Sequence, residues 1–91
     1  MTFILIARDK PGHIETRKAN RDAHLAYVAA TGVATFGGPM IDEGGVMCGS
    51  VLMLATDDRA VAEAWAAADP YALAGLFDSV EITAFKHVIG A

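Results

Sequence analysis

Val33-Ala34-Thr35-Phe36, Gly37-Gly38-Pro39, Asp42-Glu43-Gly44-Gly45 and then residues 47–55, with Val51-Leu52-Met53-Leu54 near the end, make up the stretch that decides the fold. Two runs of strand-forming residues flank a polar, glycine-rich turn, and no helical pattern separates them. The spacing predicts one strand over 33–36, ending in a tight turn at Gly37-Gly38-Pro39. It predicts another over 47–55 that is apolar on both faces.

Helical patterns lie on either side of this pair. Upstream, residues 15–30 read as a helix, with Gly32 placed as its left-handed stop. Before that helix, Pro11-Gly12 closes a short strand over 3–7. Downstream, Thr56-Asp57-Asp58 offers N-caps for a helix over 59–67. Asp69-Pro70 ends that helix, because the residue before proline disfavours helical backbone. Residues 71–75 read as one further turn of helix, and residues 80–88 alternate as a last strand. The order is β-α-β-β-α-β. It predicts an α+β, ferredoxin-like fold, with a four-stranded antiparallel sheet and two helices on one face. The uncovered face would then expose apolar strand residues, and a second copy of the chain is its simplest cover. A homodimer is therefore expected, and larger assemblies of dimers are compatible with it.

The chain has 91 residues, enough for one domain over 1–91, with 54% hydrophobic and 20% charged residues. Its mean hydropathy is +0.37, too apolar for a disordered chain. The formal net charge of −4 and the scattered seven Lys and Arg predict no nucleic-acid partner. There is no polybasic run and no apolar run long enough to span a bilayer, so no membrane partner is expected. A single cysteine, Cys48, fits a cytoplasmic location.

Arg17, Arg21, His24 and Val28 follow a helical spacing and share one face. This reads either as an imidazole in a cationic pocket that attracts an anionic small molecule, or as a solvated helix face. Asp69 would orient His24, or it would simply form the turn before Pro70. Tyr71 would line a pocket or pack. Gly38 and Pro39 would leave room for a ligand, or merely reverse the chain. Ser50 could donate a hydrogen bond into a cavity, but its surroundings do not form a nucleophile elbow. His13, His24 and His87 lie far apart and no C-x-x-C pair exists, so no metal is expected. No glycine-rich phosphate loop is present, so no nucleotide cofactor is expected.

Arg21-Asp22-Ala23-His24-Leu25, Gly38-Pro39-Met40, Gly49-Ser50, Ala64-Trp65-Ala66-Ala67-Ala68-Asp69-Pro70-Tyr71 and Ala74-Gly75-Leu76-Phe77 together resemble YciI-like proteins, the YCII-related domain family. The resemblance implies a dimeric α+β barrel, built by two ferredoxin-like sheets packed face to face. It also implies a catalytic histidine–aspartate pair, which falls on His24 and Asp69. Arg21, Gly38, Pro39, Ser50 and Tyr71 lie in the matching stretches and are candidates for substrate contact, and Arg17 joins them from the shared helix face. The implied chemistry is cofactor-independent proton transfer or elimination on a small carbonyl or lactone acid, like that of muconolactone isomerases and dehalogenases. The alternative is a non-catalytic dimeric module that binds a small molecule.

Overall fold

The computed structural model describes residues 2–90. Strand β1 (Thr2–Asp9) leads to helix α1 (Ile14–Thr31), strands β2 (Ala34–Ile41) and β3 (Met47–Leu54), helix α2 (Arg59–Ala68), the single turn α3 (Pro70–Leu73) and strand β4 (Phe77–Phe85). The four strands form one antiparallel sheet in the order β2-β3-β1-β4. This is the ferredoxin-like arrangement that the strand–turn–strand reading anticipated.

Local chemistry sets most boundaries. Gly32 closes α1 in the left-handed region at φ 65°, and its N–H donates to the Val28 carbonyl. Asp58 caps α2 by accepting the Ala60 N–H. Asp69 ends α2 and caps α3, where Pro70 takes the first position and needs no N–H partner.

Two boundaries differ from the sequence reading. Gly37, Gly38 and Pro39 do not form a turn. They continue β2 as far as Ile41, paired residue by residue with β3. β2 is the edge strand, where proline's missing N–H costs no ladder bond if it faces solvent. Gly37 is needed for close approach, because a Cβ there would overlap the Val51 carbonyl and the Leu52 backbone. The chain instead reverses at Asp42, whose Oδ1 accepts the N–H groups of Gly44 and Val46. β4 also begins earlier than expected, at Phe77, and stops at Phe85. Its length follows β1, which pairs with it from Asp9–Phe77 to Thr2–Phe85.

The core lies between sheet and helices. Phe3, Leu5 and Ala7 of β1 and Leu52 and Leu54 of β3 pack with Ala62, Trp65 and Ala66 of α2. Alternate residues Ile4, Ile6, Val51 and Met53 point the other way and are only half-buried in the single chain. α1 and α2 are tied by polar contacts as well. The Tyr27 hydroxyl donates to the Trp65 carbonyl at 2.7 Å, and Trp65 Nε1 donates to Thr31 Oγ1 at 2.8 Å. These bonds fix the position of α1 over β3 and the edge of β2, and that position defines the cavity.

Candidate active site

A cavity of about 420 Å³ opens between α1, the β2–β3 edge and α3. α1 contributes Arg17, Arg21, His24, Leu25 and Val28, at the one-face spacing seen in the sequence. β2 contributes residues 34–39, including Gly38 and Pro39, and β3 contributes Met47, Ser50 and Leu52. Tyr71 of α3 completes the lining. The wall thus combines charged and polar groups with aliphatic side chains.

His24 and Asp69, 45 residues apart in sequence, meet at 2.8 Å from Nδ1 to Oδ1. Both are buried, at 7% and 1% exposure. The same Asp69 oxygen accepts the Tyr71 N–H at 2.9 Å. The two readings of Asp69 are therefore one structure: the oxygen that caps α3 also holds the imidazole. An ionised carboxylate is an acceptor only, so the His24 proton sits on Nδ1 and Nε2 keeps its lone pair. His24 lines the cavity and Asp69 does not, which leaves Nε2 for the cavity side. An imidazole held in this way can accept a proton from a bound molecule.

Tyr71 fills the gap between Arg17 and His24, which lie two helical turns apart. The His24 ring stacks on it at 4.1 Å and 14°, and the Arg17 guanidinium lies 4.7 Å from its centroid. Such contacts lock side chains whose positions matter.

Arg17 is not the free cation that its spacing suggested. It is 3% exposed and engages Asp9 through two bonds, Nε to Oδ2 at 2.7 Å and Nη2 to Oδ1 at 2.9 Å. Nη2 also donates to Ser50 Oγ at 2.9 Å. Burial works against the charge, but the Asp9 carboxylate outweighs it and holds Arg17 above its ordinary value. Sequence reasoning missed Asp9 altogether. It stands at the end of β1 beside a register shift, in a segment that reads only as a strand breaker. The one hint was an acidic residue at the close of an otherwise apolar strand. Arg21, by contrast, is largely exposed at the cavity mouth, with only a loose 4.0 Å contact to Asp22. Among the described residues, no group of three or more His, Cys, Asp or Glu is arranged to hold a metal ion. No helix among them is long and apolar enough to cross a membrane.

A model of the YCII-related domain matches residues 1–86. The chain belongs to the YCII-related domain family. Protein YciI of Escherichia coli is 34% identical to it, over 97% of this chain and 99% of the relative. An uncharacterized protein of Haemophilus influenzae is 35% identical over the same shares. Among solved structures, 5-chloro-2-hydroxyhydroquinone dehydrochlorinase from Burkholderia phenoliruptrix, in complex with 2,5-dihydroxybenzoquinone, superposes with a TM-score of 0.86. It is 29% identical, and the match covers 97% of this chain and 96% of that one.

The site of this YCII-related chain has a measurable alkaline signature. Burial raises the Tyr71 phenol above its ordinary 10.0, opposed by the Arg17 guanidinium. Burial and the Asp69 carboxylate raise Tyr27 as well. A raised folded value means that the folded state holds the proton more tightly than the unfolded chain does. The resulting stability is fully present below the unfolded value and is lost as pH rises through the folded values. Ultraviolet titration should therefore show both tyrosines ionising above 10.0 in the native protein, with denaturation midpoints falling over that range. Two native tyrosines that titrate at 10.0 would contradict this assignment.

Proposed function

We propose that this YCII-related protein is a cofactor-independent enzyme of proton transfer and elimination on a small cyclic or conjugated carbonyl compound. The observation that carries the reading is the buried 2.8 Å contact between His24 and Asp69 at the wall of a cavity. His24 Nε2 removes a proton from carbon beside the carbonyl. The C–H electron pair becomes a new C=C bond, and the carbonyl π pair moves onto oxygen. In an elimination, that pair then returns to re-form C=O, the new C=C pair shifts to join the α- and β-carbons, and a leaving group such as halide departs from the β-carbon with its bonding pair. In an isomerisation, His24 returns the proton to a second carbon. Asp69 keeps the imidazole in one tautomer and stabilises its protonated form. Arg21 stands at the mouth to take a substrate carboxylate.

The dehydrochlorinase likeness supports the elimination branch, since the resemblance covers nearly the whole chain. The test is a panel of lactones, 2-oxo acids and chlorinated hydroxyhydroquinones, assayed for turnover and chloride release with the wild type and His24→Ala. Turnover that depends on His24 supports the enzyme. Ligand binding without turnover across the panel would favour a binding module instead.

We also propose that the protein acts as a homodimer joined through the open sheet face. Ile4, Ile6, Val51 and Met53 form an apolar patch there, and Phe36, the partner of Met53 on β2, is 76% exposed. Val51→Asp would place a charge at the centre of this interface and should convert dimer to monomer by light scattering. A wild type that is monomeric at micromolar concentration would contradict the proposal.

A further inference from the structure

The cavity is larger than its reacting groups require. An apolar cavity of ~150 Å³ is enough for a benzene ring, and this one measures about 420 Å³. The fold also makes it long. At one end Arg17 bonds Ser50, which pairs with Pro39 across the sheet. From there the lining runs along α1 to Val28, roughly 16 Å of helix from Arg17. It runs along β2 from Pro39 back to Thr35, about 13 Å of strand. Gly32 bonds the Val28 carbonyl and leads at once into β2, so Val28 and the start of β2 stand together at the far end. Leu25, Val28, Ala34 and Phe36 line that end without a polar side-chain atom. Among residues 34–39, Thr35 alone has a polar side chain. It also interrupts the ladder: Ala34 pairs with Leu54 and Phe36 with Met53, so Thr35 has no opposite residue on β3. A bulge of this kind re-aims a side chain, and bulges are over-represented next to active sites. Thr35 is exposed, and its hydroxyl has no hydrogen-bond partner among the described residues.

We propose that the far end of the cavity is a substrate subsite with Thr35 as its specificity-determining residue. Leu25, Val28 and Ala34 take an apolar extension of the molecule, and the Thr35 hydroxyl bonds a polar atom at its tip. The substrate class narrows accordingly. It is a carbonyl compound that carries, several carbons from the reacting group, a hydroxyl or a second carbonyl. The aliphatic wall supplies affinity in proportion to the chain it buries. The hydroxyl supplies selectivity, because it both donates and accepts and has no other partner to satisfy it. The inference rests on the enzyme reading above for the end that reacts, and it assigns the end that His24 and Asp69 do not reach.

The test is isothermal titration calorimetry with 2-oxobutanoate, 2-oxohexanoate, 2-oxooctanoate and their terminally hydroxylated counterparts, with circular dichroism to monitor the fold. Wild-type affinity should rise with chain length, by about fourfold for each methylene fully buried. Thr35→Val keeps the shape of the side chain and removes the hydroxyl. It should weaken the best-bound hydroxylated acid about twofold to tenfold, the net worth of a neutral hydrogen bond, and leave the plain acid of that length unchanged. Thr35→Ser retains the hydroxyl and should bind both as the wild type does. Equal affinity for the shortest and longest acids would overturn the inference, and so would a wild type that takes none of them. A Thr35→Val protein that binds the hydroxylated acid as tightly as the wild type would overturn it as well. The enzyme reading fails on a different result, full turnover in His24→Ala, so either can fall without the other.

Discussion

Replacing His24 with alanine should lower turnover of any carbonyl substrate by about 10²–10⁴-fold, the usual contribution of a positioned general acid–base group. The fall should appear equally in kcat and kcat/KM, because the lost interaction is made in the transition state. Asp69→Asn is the sharper companion. Asparagine is itself a good helix cap, so α3 should survive. An amide can both donate and accept, so it would hold the imidazole in either tautomer, and much of the loss should recur with the ring still in place. Steady-state kinetics with matched circular dichroism spectra measures both. Arg21→Ala should behave differently, mainly raising KM, since the side chain sits exposed at the mouth and anchors substrate and transition state alike.

The largest effect on stability should come from Asp9. Truncating it to alanine leaves the Arg17 guanidinium buried without its counter-charge, which typically costs about 3–5 kcal/mol. Small domains are stable by only ~5–15 kcal/mol, so urea denaturation should show a severe loss of midpoint. The double variant Asp9→Leu/Arg17→Met should recover much of it, because apolar residues of similar volume remove the need for pairing. Unchanged stability in Asp9→Ala would contradict the buried pair.

Much of this architecture is legible in local pattern. The apolar run ending in Val51-Leu52-Met53-Leu54, the helical face from Arg17 to Val28 and the stop at Gly32 each correspond to an element of the fold. The departures have a common cause. Gly37-Gly38-Pro39 has turn composition, but β3 pairs alongside it and extends the strand to Ile41. The length of β4 follows its partner β1 rather than its own alternation. Long-range pairing overrides local propensity in both cases.

The candidate site divides in the same way. Helical spacing over two turns brings Arg17, Arg21 and His24 onto one face, and the Asp-Pro-Tyr sequence sets the cap that carries Asp69 and Tyr71. What spacing could not reveal is Asp9. It reaches Arg17 from another element through tertiary contact alone, and it turns an apparent substrate-binding cation into half of a neutral pair. Ser50 likewise accepts an Arg17 N–H from α1, a contact between distant elements that no local spacing announces.

The most direct test of the central claim is chemical rescue. On a substrate from the carbonyl panel that the wild type turns over, kcat/KM is measured for the wild type, His24→Ala, and His24→Ala with free imidazole. A base held against Asp69 predicts a drop of about 10²–10⁴-fold in the variant and partial restoration by imidazole, which can enter the space left beside Tyr71 and meet the same carboxylate. A His24→Ala protein that keeps wild-type kcat/KM, with or without imidazole, would contradict it.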